Sequence, residues 1–138
     1  MSEAANKDLA ERWFDEVWNQ GRESAIDELL HPEGKAYGLP TADDCLIGPE
    51  GFKAVHRQFH SAFSNIHLVI EDLVAEGDKV AIRWTSIMTH TGDGFGFPAT
   101  GKKAVLGGAS IIHVRDGKIL AGWNFMDMTQ MIQQLQAK

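Results

Sequence analysis

The chain has 138 residues, 43% of them apolar, and a formal net charge of −6. That is enough material for one ordinary domain with a core and some room for a cavity, and one domain spanning 1–138 is expected. The charge shows no basic block, which argues against a nucleic-acid partner. No apolar run approaches the roughly 18 residues of a membrane span and the first residues lack an apolar leader segment, so a soluble, cytoplasmic protein without membrane association is expected. A lone cysteine, Cys45, leaves no internal disulfide and no cysteine-rich metal site.

Asn6 to Gln20 reads as an amphipathic helix, because Leu9, Ala10, Trp13, Phe14, Val17 and Trp18 recur at three- and four-residue spacing and Gly21 supplies the stop. Its stripe is aromatic. Such residues are mostly core, yet Phe14 and Trp18 laid across a sheet would also wall a hydrophobic pocket. Glu23 to Leu30 forms a short second helix ended by Pro32, and Glu33 to Ile47 reads mostly as loop with a possible short strand near Lys35 to Leu39. Gly48-Pro49-Glu50 opens a third helix, whose buried stripe holds Phe52, Val55, His56, Phe59, Ala62 and Phe63. His56 within that stripe is either a core histidine bonded to a neighbour or a group facing a ligand cavity. With His60 it has i, i+4 spacing, but no acidic third ligand is indicated, so no metal is expected.

After Ser64-Asn65 the period becomes two. Ile66 to Ala75, Lys79 to His90, Lys102 to Arg115 and Lys118 to Met126 read as strands, and Asp116-Gly117 is a strong hairpin signal. Helices followed by an antiparallel meander predict an α+β fold: a cone-shaped curved antiparallel sheet packed against about three helices, with a short helix from Met128 to Gln136 at the end. Within the sheet, Trp84 and His90 are candidate pocket residues, although His90 could equally anchor the loop that follows it. That loop, residues 92–101, has four glycines and includes Phe97, and suits a flexible lip over a pocket rather than a phosphate-binding turn. Arg83 suits a surface ion pair, and His113, beside the hairpin turn, a surface strand position.

The ordered series Val17-Trp18-Asn19-Gln20-Gly21, Leu30-His31-Pro32, Gly48-Pro49-Glu50-Gly51-Phe52, Ala81-Ile82-Arg83-Trp84-Thr85, Thr89-His90-Thr91-Gly92, Gly96-Phe97-Pro98-Ala99-Thr100-Gly101 and Asp116-Gly117-Lys118-Ile119 resembles the SnoaL-like polyketide cyclases of the nuclear transport factor 2-like superfamily. The resemblance implies an α+β cone, a homodimer or higher homo-oligomer, no cofactor, and an intramolecular aldol closure of a hydrophobic carbonyl substrate. It also implies proton transfer by an aspartate on the last strand, with a histidine on the preceding strand. Counted from Asp116-Gly117-Lys118-Ile119, these positions carry Asn124 and Ser110. An amide can donate and accept hydrogen bonds but holds no transferable proton at neutral pH. The candidate catalytic residues are therefore Asn124, Ser110, His56 and Asp127. Asp127 is the carboxylate nearest Asn124 in sequence and is also well placed to cap the last helix. Non-catalytic binding of a small molecule, or an isomerase, hydrolase or dehydratase, remain alternatives on this scaffold.

Overall fold

A computed structural model describes residues 2–137. Ser2 caps the first helix, α1 (Glu3–Arg12), by accepting from the Ala5 N–H. The helix then widens into a π-helical stretch, Trp13–Asn19. Bonds that skip five residues, such as Gln20 N–H to the Asp15 carbonyl at 2.8 Å, bring side chains five apart onto one side. Trp13 and Trp18 consequently both meet Phe52 edge-on, at 4.9 and 6.0 Å between ring centres. Alpha-helical spacing alone would have rotated one of them away. Asn19 fastens the end of this stretch to the sheet, its amide donating to the Leu68 carbonyl at 3.0 Å and accepting from the Leu68 N–H at 2.6 Å.

Helix α2 (Ser24–Leu29) leads into strand β1 (Leu30–Tyr37), followed by β2 (Leu46–Ile47), α3 (Gly48–Ala62), β3 (Phe63–Glu76), β4 (Lys79–His90), β5 (Lys103–Arg115), β6 (Lys118–Met126) and α4 (Met128–Gln136). The six strands make one curved, unclosed sheet in the order β2-β1-β6-β5-β4-β3, with helices packed on one face. The α+β cone expected from the sequence is present. Both residues of the Asp116-Gly117 turn have positive φ, at 53° and 73°, as a two-residue hairpin of this hand requires.

The meander is antiparallel, but β1 corrects the expectation of a wholly antiparallel sheet. It lies parallel to β6, pairing Lys35 with Ala121, Ala36 with Gly122 and Tyr37 with Trp123. The possible short strand expected near Lys35 to Leu39 is present and starts earlier, at Leu30, in a stretch read as helix end and loop. Its Pro32 and Gly34 disguise it, because both fall where the register shifts between Leu30 and Lys35. A Cβ on Gly34 would come within 2.9 Å of the His31 carbonyl oxygen and 3.0 Å of that of Ile119.

Strand β4 alternates without a break: Val80, Ile82, Trp84, Ser86, Met88 and His90 are buried towards the helices. Together with the inward residues of β5, the aromatic stripe of the first helix and Phe52, Val55 and Phe59 of α3, they build one continuous core. No helix among the described residues is long and apolar enough to cross a membrane.

Candidate functional site

Between the concave face of the sheet and the first and third helices lies a hollow of about 70 Å3, measured as space open to the centre of a water molecule. Phe14 and Trp18 line it from the first helix, Phe52 and Phe59 from α3, and Trp84, Ser86, Met88, Ser110 and Asn124 from the sheet. Trp13, Leu68, Leu106 and Ile112 are among the residues of its greasy wall.

Apart from Lys35 and Ser86, the polar groups of this lining form a single directed chain. Ser110 and Asn124 face each other across the β5–β6 ladder. The Trp84 indole N–H donates to Ser110 Oγ at 3.1 Å, the Ser110 hydroxyl donates to Asn124 Oδ1 at 2.8 Å, and Asn124 Nδ2 donates to the Tyr37 carbonyl at 3.0 Å. Its direction is forced at both ends. An indole nitrogen can only donate and a backbone carbonyl can only accept, so the Asn124 amide has one allowed orientation.

Two glycines make the chain possible. Trp84 lies over Gly108, where a Cβ would meet the indole at 2.4 Å. Gly38, at φ 79°, lets the chain after Tyr37 pass so close to β6 that a Cβ there would sit 1.9 Å from the Asn124 carbonyl oxygen. The Asn124 amide therefore has one N–H already committed to Tyr37, leaving a second N–H and an acceptor lone pair for a guest.

The other candidates from the sequence are placed elsewhere. His56 is buried, but its Nε2 is 2.7 Å from the Val17 carbonyl and the side chain is outside the lining. Burial holds its pKa below the ordinary 6.5, against the opposing pull of that carbonyl. Asp127 is exposed and caps α4, its Oδ1 accepting from the Gln130 N–H at 3.0 Å. Val55, Phe63, His90 and Phe97 do not touch the hollow. Val55 and Phe63 are core, and His90 and Phe97 lie against each other with ring centres 4.9 Å apart. Arg83 pairs with Asp72 on the exposed side at 2.6 Å, and His113 lies against Trp123 at 4.7 Å.

Among the described residues no aspartate, glutamate or histidine lines the hollow, and Lys35 is its one titratable side chain. Nor do three or more of the described His, Cys, Asp or Glu residues gather as metal ligands would.

Comparison with known proteins gives this arrangement a context. The family model for SnoaL-like polyketide cyclase matches residues 8–135. The chain belongs to the SnoaL-like polyketide cyclase family. A relative from Streptomyces peucetius, aklanonic acid methyl ester cyclase DnrD, is 31% identical over 113 residues, covering 81% of this chain and 77% of its own length. TsrD from Streptomyces laurentii superposes with a TM-score of 0.86 at 30% identity over 100% of this chain and 99% of its own. A SnoaL-like protein from Jannaschia sp. CCS1 shares the fold, with a TM-score of 0.88 at 21% identity over 99% and 94% of the two chains.

Against the proton-transfer pair that the resemblance implies for the SnoaL-like family, this member carries an amide and a hydroxyl, each locked by neighbours. Sequence reasoning missed one of those neighbours and one further polar residue of the lining. The Tyr37 carbonyl carries no residue-type signal because every residue has one. Ser86, also in the lining, was hidden in ordinary strand alternation.

Proposed function

We propose that this chain takes a hydrophobic carbonyl compound into the cone and promotes its cyclisation, or a related acid/base rearrangement, without a cofactor. The observation that supports this reading is the Trp84–Ser110–Asn124–Tyr37 chain set in an otherwise apolar hollow. Aromatic walls favour a flat, greasy guest, and a fixed amide N–H favours a guest oxygen that becomes more negative as a neighbouring carbon gives its proton to solvent water or hydroxide. Preorganisation is the contribution of the chain: Asn124 is already aimed, so little reorientation accompanies the reaction.

The absence of carboxylate and imidazole from the described lining favours a second reading, in which the protein binds such a compound and does not transform it. The two separate cleanly. Aromatic β-keto esters are expected to quench tryptophan fluorescence through Trp18 and Trp84 in either case. The catalytic reading expects a ring-closed product to accumulate, and Asn124→Leu to slow it at least tenfold. Quenching with no product would leave the binding reading standing, and neither response would remove both.

We further propose that the protein self-associates through the face of the sheet turned away from the helices. There Ile87 pairs with Val105 and Ala109 with Phe125, and Ile87, Val105 and Phe125 are exposed.

A further inference from the structure

A carboxamide has four hydrogen-bonding positions, two lone pairs on its oxygen and two N–H groups on its nitrogen. In Asn124 two of the four are taken: Oδ1 accepts from the Ser110 hydroxyl at 2.8 Å, and Nδ2 donates to the Tyr37 carbonyl at 3.0 Å. One lone pair and one N–H remain, and no other hydrogen bond reaches this amide among the described residues.

Where these two point follows from how far each partner stands above the sheet. The Tyr37 oxygen belongs to the main chain of β1, which pairs with β6 at Trp123, and Ser110 Oγ is one bond beyond its Cβ on the other neighbour, β5. Oδ1 and Nδ2 are two bonds beyond the Cβ of Asn124. Both partners therefore meet the amide from the sheet side, and they take the lone pair and the N–H that are turned back towards its Cβ. The two positions left over lie side by side at the far edge of the amide, towards the hollow.

Asn124 is half-buried, as are Leu39 and Met126 beside it in the lining, so this edge lies near the opening of the hollow. A ketone or ester oxygen only accepts; such a guest takes the free N–H and leaves the lone pair unmet. A carboxylate sets two acceptors against the amide and brings a charge to an apolar wall. A guest with a donor next to its acceptor satisfies both positions at once, the pairing by which an asparagine amide reads the edge of adenine.

We propose that Asn124 selects a flat ring compound whose carbonyl has an N–H beside it, a cyclic amide, over a plain ketone or ester: the guest carbonyl accepts from Nδ2 while the guest N–H donates to Oδ1. This deepens the proposed function and rests on it, adding the class of carbonyl that the site prefers. A keto ester still binds through the Nδ2 donor alone, and more weakly.

The test follows the two Asn124 amide protons of the unmodified protein by NMR, told apart by their distance from Cβ. Its probes have a single ring, because a hollow of about 70 Å3 is below the roughly 150 Å3 of a closed cavity that takes benzene, and part of the ring then projects through the opening. They are 2-pyridone, with C=O and N–H side by side, 4-pyridone, with the same groups at opposite ends, and 2-pyrone, with a ring oxygen in place of the N–H. Before any addition, the proton on the Cβ side is expected to show the scalar coupling across the hydrogen bond to the Tyr37 carbonyl carbon; coupling through the other proton overturns the proposal. 2-Pyridone is expected to move that other proton and to bind at least about fivefold more tightly than either companion. Equal affinity for 2-pyridone and either companion, with the amide still moving, overturns the proposal and spares the reading that Asn124 holds a carbonyl. No movement of the amide with any of the three removes both.

Discussion

The two faces of one sheet carry similar residues and meet different fates. On the concave face Trp84, Met88, Leu106 and Ile112 are 2–6% exposed, sealed by the first helix and α3. On the convex face Ile87, Val105, Ile111 and Phe125 are 42–62% exposed, although each is separated from an inward residue by a single step along its strand. Trp123 shows that cover, not residue type, makes the difference: Tyr37 stacks on it at 5.4 Å and His113 lies beside it at 4.7 Å, so it is half-buried, while Phe125 two residues on stands bare. The lesson is that alternation assigns a residue to a face, and only the rest of the molecule, or a partner, decides whether that face is an interior.

The contrast is broken most severely at Trp84. Trp84→Ala removes a 5%-exposed indole that both fills the core and donates to Ser110. A loss of about 3–5 kcal/mol in urea unfolding is expected, because neighbouring aromatic rings cannot close so large a void. A loss below about 1 kcal/mol would mean that the concave face is not packed as described.

A subtler disturbance keeps the shape and changes the polarity. Asn124→Asp restores the carboxyl type that the resemblance implies for this position, but sets an oxygen where Nδ2 now donates to the Tyr37 carbonyl. Two acceptors would then face each other, and only the protonated carboxyl could bridge them, so the folded state raises the pKa of the new acid. A group whose folded pKa is raised contributes its full stability below the unfolded value and loses it as pH rises through the folded one. The variant is expected to fold about 1–3 kcal/mol less stably than the parent at pH 8 and to recover on acidification towards pH 4. Equal stability at both ends of that range would show that the Tyr37 carbonyl does not set the amide's orientation.

The parts of this molecule legible from sequence are those whose signal is local. The Asp116-Gly117 turn, the terminal helix at Met128–Gln136 and the unbroken alternation of β4 depend on residues adjacent in the chain. What escaped depends on distant neighbours. Strand β1 is legible only near Lys35 to Leu39; its first half contains a proline and a glycine, and the strand is held by parallel pairing to β6, some eighty-five residues away. The π-helical widening at Trp13–Asn19 adds no residue type that an ordinary amphipathic helix lacks. At the site, counting straight from the hairpin turn would set Ser110 opposite Trp123; it meets Asn124 because the β5–β6 register shifts between His113 and Val114, and the fixing carbonyl of Tyr37 depends on the close passage at Gly38. For His56, periodicity supplied burial and said nothing of Val17, whose carbonyl occupies its Nε2.

The smallest expected effect on the fold falls on the convex face. Phe125→Lys exchanges a ring that is 62% exposed for a charge of similar reach, so the stability of an isolated subunit should change by no more than about 0.5 kcal/mol. If the bare face is covered by a second copy, the same exchange buries an unpaired ammonium on each side of the contact, a cost that an apolar interface cannot offset. The dilution series is therefore the sensitive measurement. By sedimentation velocity the parent chain is expected to sediment as an oligomer, and Phe125→Lys as a monomer at the same concentration with its unfolding midpoint nearly unchanged at low concentration. Position 125 tests one face without the other because it points away from the hollow, so guest binding at Asn124 should survive the change. Equal oligomer fractions in the two proteins would leave the convex face as solvent-exposed surface, with the difference between the two faces due to the helices alone.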